Sequence, residues 1–123
     1  MPAVPDAPPA KRRILLADDH ALFSDGMCSL LNQEADLHVV GQVYDGAAVL
    51  PAIHQYGPDL LLLDVNLPRR HGHELAPRIL ADFPRLRVVI LTMYAERRLV
   101  EEFRAMGVHG YILKNASRAT LLT

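Results

Sequence analysis

Four short apolar runs, each stopped by a polar or charged residue, constrain this chain more than any other feature of it. Arg13-Ile14-Leu15-Leu16-Ala17 runs into Asp18-Asp19, and Leu60-Leu61-Leu62-Leu63 into Asp64. Val88-Val89-Ile90-Leu91 runs into Thr92, and Gly110 to Leu113 into Lys114. Unbroken apolar runs fit strands buried on both faces, as in a parallel sheet. A further strand is expected over Leu37 to Val43; it ends at Val43-Tyr44 and offers no comparable group.

Helical patterns fill the gaps. Leu22 to Leu31 has apolar residues at helical spacing. Asp45 reads as the N-cap of a helix through about Tyr56, closed by Gly57-Pro58, with Pro51 expected to kink it. A third helix is expected from about His73 to Asp82, with Pro77 inside it, and a fourth from Glu96 to Met106, closed by Gly107. Ser117 could cap a last helix of about two turns. Strand and helix alternating five times argues for a parallel sheet with helices on both faces. Five strands fit the doubly wound, flavodoxin-like order 2-1-3-4-5.

The 123 residues suit one domain. The reading is a disordered Pro-rich leader over 1–10, which holds four of nine prolines, and a folded domain over 11–123. No apolar run approaches the ~18 residues that span a bilayer, and the first residues lack the apolar core of a secretory signal. The single cysteine, Cys28, can form neither an internal disulfide nor a cysteine-built zinc site, so a cytoplasmic location is expected.

Net charge is −1, which makes no case for nucleic-acid binding by these residues. The charge is unevenly spread: residues 1–64 carry 3 basic and 9 acidic groups, residues 65–123 carry 10 and 5. Acids follow the first and third strands, whose C-terminal ends flank the switch point of such a sheet, where ligands bind. Three carboxylates gathered there repel one another unless a hard cation lies between them. Magnesium suits one or two carboxylates with waters and a phosphate. With Thr92 and Lys114 opposite, the pattern reads as phosphoryl transfer with a carboxylate nucleophile.

The segments ADDH at 17–20, LLLDVNLP at 61–68, LTMY at 91–94 and GYILK at 110–114, in this order and spacing, resemble the receiver domain of bacterial two-component response regulators. VVGQVYDG at 39–46, and Asn115 after Lys114, resemble the NarL/FixJ subgroup. The resemblance implies that Asp64 accepts a phosphoryl group from a sensor histidine kinase. It implies that magnesium is held directly by Asp19, mainly through water by Asp18, and also by Asp64 and the Asn66 carbonyl. Lys114 would contact the phosphoryl oxygens, Thr92 and Tyr111 would form a switch pair, and Asn66 and Tyr94 would flank the path of water. Such a domain is a phosphoacceptor rather than an enzyme in the usual sense. Its output would run through a helix-turn-helix domain on promoter DNA, which does not follow in these residues. A last helix of about two turns offers little apolar area to a partner, so these residues are expected to be mainly monomeric, and no membrane contact is expected.

Other readings compete. A haloacid-dehalogenase-like phosphohydrolase would carry its nucleophile after the first strand in a DxD pattern. A flavin binder would want a phosphate loop where Asp18-Asp19-His20 stand. A pseudo-receiver acting without phosphorylation would not need the full set of acids, Thr92 and Lys114. His71 and His73 read as a solvated loop pair, Arg97-Arg98 as an exposed helix face and Cys28 as a small core or helix-face residue. Tyr111, on the strand pattern alone, reads as core.

Overall fold

The computed structural model describes residues 11–93 and 96–114. Its strands are β1 (Arg12–Ala17), β2 (Leu37–Val43), β3 (Leu60–Asp64), β4 (Arg87–Thr92) and β5 (Gly110–Leu113). Its helices are α1 (Ala21–Asn32), α2 (Val49–Tyr56), α3 (Gly72–Asp82) and α4 (Arg97–Met106), with a 3-10 turn over Gly46–Ala48. All strands are parallel, in the order β2-β1-β3-β4-β5. A helix beyond Lys114, its Ser117 cap and the leader over 1–10 lie outside the described residues.

The unbroken apolar runs are explained by burial on two sides. Leu15, Ala17, Leu61, Leu63, Val88 and Ile90 face a core completed by Val49 and Ile53 of α2, Leu75 and Ile79 of α3 and Phe103 of α4. Ile14, Leu16, Leu62 and Leu91 face the opposite way, against Met27 and Leu31 of α1. Successive strand residues point to opposite faces, so a strand covered on both needs apolar side chains at every position. Cys28 packs at the margin of the α1-side core, as expected.

One local feature differs from the sequence reading. The segment after Asp45 is a 3-10 turn followed by α2, with the Asp45 carboxylate accepting from the Ala47 N–H at 2.6 Å. Pro51 therefore falls in the first turn of α2, where its missing N–H would have had no helical partner, and not in the helix interior, where a proline kinks a helix. Pro77 does lie inside α3 and removes the bond its N–H would have made to the His73 carbonyl. His73 lies in the first turn of α3, where the third helix is expected to begin, and is exposed as expected; its Nε2 lies 3.0 Å from Glu102 Oε2 and its ring packs on Phe103 of α4.

Two glycines set the chain path. Gly107 has φ 105° and ends α4 in the left-handed region that favours glycine. At Gly46 a Cβ would stand 2.1 Å from the Arg70 carbonyl, so only glycine lets the β2–α2 and β3–α3 connections approach this closely.

Candidate functional site

Backbone pairing brings the strand ends to one level. Ala17 pairs with Leu63, Asp64 with Leu91 and Thr92 with Leu113. Just beyond the strands, the Asp18 N–H donates to the Val43 carbonyl (3.0 Å), Val65 to Leu91 (3.2 Å) and Lys114 to Thr92 (2.8 Å). These bonds hold Asp18, Asp64, Thr92 and Lys114 along a single edge of the sheet, although 96 positions separate Lys114 from Asp18.

Asp18 and Asp64 are buried, at 0% and 2% exposure, while Asp19 is open to solvent. The Lys114 ammonium donates to Asp18 Oδ1 at 3.1 Å and to Asp64 Oδ2 at 3.3 Å, and rests 4.8 Å from the centre of the Phe23 ring. It also lies 2.9 Å from Asp18 Oδ2, at an angle that makes no hydrogen bond, so this buried oxygen has no hydrogen-bond partner among the described residues. Asp64 Oδ1 accepts from the Asn66 N–H at 3.0 Å. Burial pushes the Asp64 carboxyl above its ordinary value. The Asn66 N–H opposes that shift, the Asp18 charge adds to it, and Lys114 counters it by charge and hydrogen bond.

The residues singled out in the sequence divide into those brought together and those not. Asp18, Asp19, Asp64 and Lys114 share the pocket, and Asn66 is exposed at its rim. Thr92 is buried at the end of β4. Tyr111 is not core: it is 46% exposed and lines, with Thr92, Leu99, Val100 and Phe103, a cavity of about 300 Å³ between β5 and α4. Tyr94 lies outside the described residues. The structure adds one residue to which the sequence reading gave no role. His20, the N-cap residue of α1, brings its Nδ1 to 3.1 Å from Asp18 Oδ1 and 3.5 Å from Asp19 Oδ1. Its position directly after two acids at a strand end is the signal that could have marked it.

Three carboxylates with ligand oxygens within 4.8 Å of one another, two of them buried and sharing a single ammonium, fit a hard divalent cation. The nucleophile candidate stands at the end of β3 and not β1, as the dehalogenase alternative would require. The model of the response regulator receiver domain matches residues 14–123. This chain belongs to that family. The acidic cluster is of the kind that holds magnesium in receiver domains.

Relatives of this receiver domain include the oxygen regulatory protein NreC of Staphylococcus aureus, 36% identical over 111 residues, which are 89% of this chain and 51% of that protein. The chain thus spans about half the length of the curated relatives it matches. The receiver domain of the putative regulator NarL from Mycobacterium tuberculosis has a TM-score of 0.82 at 32% identity, covering 90% of each chain. The non-phosphorylated receiver domain of RcsB from Escherichia coli has a TM-score of 0.86 at 24% identity, covering 91% of this chain and 88% of that one; it shares the fold.

Proposed function

We propose that this receiver domain accepts a phosphoryl group on Asp64 from the phosphohistidine of a sensor histidine kinase and passes the resulting change to an output domain. The observation that carries the reading is one ammonium shared by two buried carboxylates at the switch point of the sheet, with Lys114 bonded to both Asp18 and Asp64. An Asp64 oxygen attacks phosphorus, the phosphorus–nitrogen bond of the donor breaks, and the departing imidazole keeps the electron pair. Asp64 must be ionised to attack, and the Asn66 N–H and Lys114 favour that form against burial.

Asp19, Asp18, Asp64 and the Asn66 carbonyl would hold magnesium, which when bound neutralises charge on the carboxylates and on the arriving phosphoryl oxygens. Lys114 then transfers its hydrogen bond from Asp64 to a phosphoryl oxygen. Thr92 donates its hydroxyl to the same group, and Tyr111 turns from its exposed position into the space beside Thr92. The cavity between β5 and α4 gives the ring somewhere to go. On the family resemblance, Asn66 and Tyr94 would flank the approach of the water that later hydrolyses the acyl phosphate.

In this reading residues 11–123 are the receiver, residues 1–10 a leader, and the protein is cytoplasmic. No helix among the described residues is long and apolar enough to cross a membrane. The output domain of the whole regulator would be a helix-turn-helix module on promoter DNA; RcsB of Salmonella enterica has been solved bound to a promoter. These 123 residues by themselves would remain mainly monomeric.

Incubation with acetyl phosphate and magnesium, followed by intact-mass spectrometry, tests the reading. The wild type should gain one phosphoryl mass and Asp64→Asn none. Equal modification of both removes Asp64 as the acceptor, and no modification of the wild type returns the domain to the pseudo-receiver alternative.

A further inference from the structure

Among the described residues, Arg69 is the one non-glycine residue with backbone in the left-handed region, at φ 70°. The Arg70 N–H donates back to the Pro68 carbonyl at 2.8 Å and closes a turn around Arg69 of a rare and strained kind. An arginine does not settle into such backbone by preference. The strain sits in the β3–α3 connection, which also carries Asn66. Strained backbone persists only where neighbouring structure fixes it, and it gathers at functional sites.

What fixes it here arrives from another strand. The Gly46 N–H donates to the Pro68 carbonyl at 2.9 Å, so one oxygen receives both Gly46 and Arg70. Gly46 comes so near because it has no Cβ, which would stand 2.6 Å from Arg70 Cβ and nearer still to the Arg70 carbonyl. Asp45 shapes the approach: Oδ1 accepts from the Ala47 N–H, and Oδ2 lies 3.4 Å from the Arg69 guanidinium. Arg69 is 74% exposed, so water screens that ion pair and it adds little. The Asp45 cap and the close backbone approach therefore supply the restraint. At its base the connection is closed by the Gly72 N–H on the Val65 carbonyl at 3.0 Å. Between the closed base and the tied tip lies Asn66, whose N–H donates to Asp64 Oδ1.

We propose that Asp45 and Gly46 are positioning residues for phosphoryl transfer at Asp64, acting through the Pro68 carbonyl and the Asn66 N–H. The inference rests on the reading of Asp64 as the phosphoacceptor and adds the residues that aim it. The Asn66 N–H holds one Asp64 oxygen and Lys114 the other, and together they set the plane of the carboxylate and its line of attack. Releasing the tip lets Arg69 relax to ordinary backbone and carries the Asn66 N–H with it. A nucleophile turned off its line loses rate while the fold stands.

Phosphorylation rates with acetyl phosphate and magnesium, read by intact-mass spectrometry, test this in Asp45→Ala, Asp45→Asn and Gly46→Ala. Asp45→Asn keeps an acceptor for the Ala47 N–H and loses only the charge facing Arg69. Leu31→Ala, in the core on the other face of the sheet, is the control for a general loss of stability. Asp45→Ala and Gly46→Ala should be slower than wild type by about ten-fold or more, and Asp45→Asn and Leu31→Ala by less than about two-fold. The Asn66 amide resonance in NMR spectra should move in Asp45→Ala and hold its place in Asp45→Asn and Leu31→Ala. A wild-type rate in Asp45→Ala, equal slowing in Asp45→Asn or Leu31→Ala, or an Asn66 resonance unmoved in Asp45→Ala overturns the inference and leaves Asp64 as the acceptor. If the wild type itself gains no phosphoryl mass, the acceptor reading falls and the inference with it.

Discussion

β1 and β3 run through two opposite environments within one residue of each other. Ile14 to Ala17 and Leu61 to Leu63 are buried hydrocarbon; Asp18, directly after β1, and Asp64, at the end of β3, are just as buried and carry carboxylates. The hydrocarbon part gains stability with every side chain removed from water. The carboxylate part loses it, because desolvating a charge is compensated only in part by a partner. Burial alone therefore does not distinguish core from site. What distinguishes them is whether the buried group would be more stable elsewhere, and Asp64, whose carboxyl is pushed above its ordinary value, would be.

The largest test of this contrast lies on its stable side. Leu63→Ala removes a fully buried side chain beneath Asp64 and should lower unfolding free energy by about 3–4 kcal/mol in a urea titration. Less than ~1 kcal/mol would mean that the strand interior is no firmer than its end. Next comes the partner that offsets the charges. Lys114→Met should destabilise the metal-free protein by about 2–3 kcal/mol near neutral pH, because two buried carboxylates lose their shared cation. The deficit should shrink in acid as Asp64 takes up a proton, and a pH-independent deficit would assign the effect to packing.

The smallest effect has the opposite sign. Asp64→Asn should raise stability by about 1 kcal/mol without metal, which is a shift of about 4 °C in Tm. The folded state of the wild type holds the Asp64 proton more tightly than the unfolded state does, so this residue's contribution falls as pH rises from the ordinary carboxylate range. The gain should therefore be full near pH ~7 and vanish below about pH 4. A constant gain from acid to neutral pH would break the link between burial and charge at this position.

Much of this was legible beforehand. Hydropathy placed the strands because a doubly covered strand leaves no position for a polar residue, and it placed β2 and β5 with their observed limits. The acids at the ends of β1 and β3 were legible for the complementary reason: a charge directly after such a run stands where the sheet ends. Pro51 was misjudged because one residue's type cannot say which turn of a helix it enters; Asp45, by capping a separate 3-10 turn, moved the start of α2. The contacts of His73 with Glu102 and Phe103 were not legible, because those partners lie on another helix.

By itself, then, the sequence determined the alternation of elements, the parallel sheet and the family, since these depend on local periodicity and on motifs read in order. Only the tertiary structure decided what the motifs do to one another. It set Lys114 between Asp18 and Asp64, left Tyr111 outside the core, and aimed the His20 imidazole at the acids. Those relations depend on register between strands and on side-chain direction at their ends. Both are fixed by packing across the whole sheet, and no window along the chain contains them.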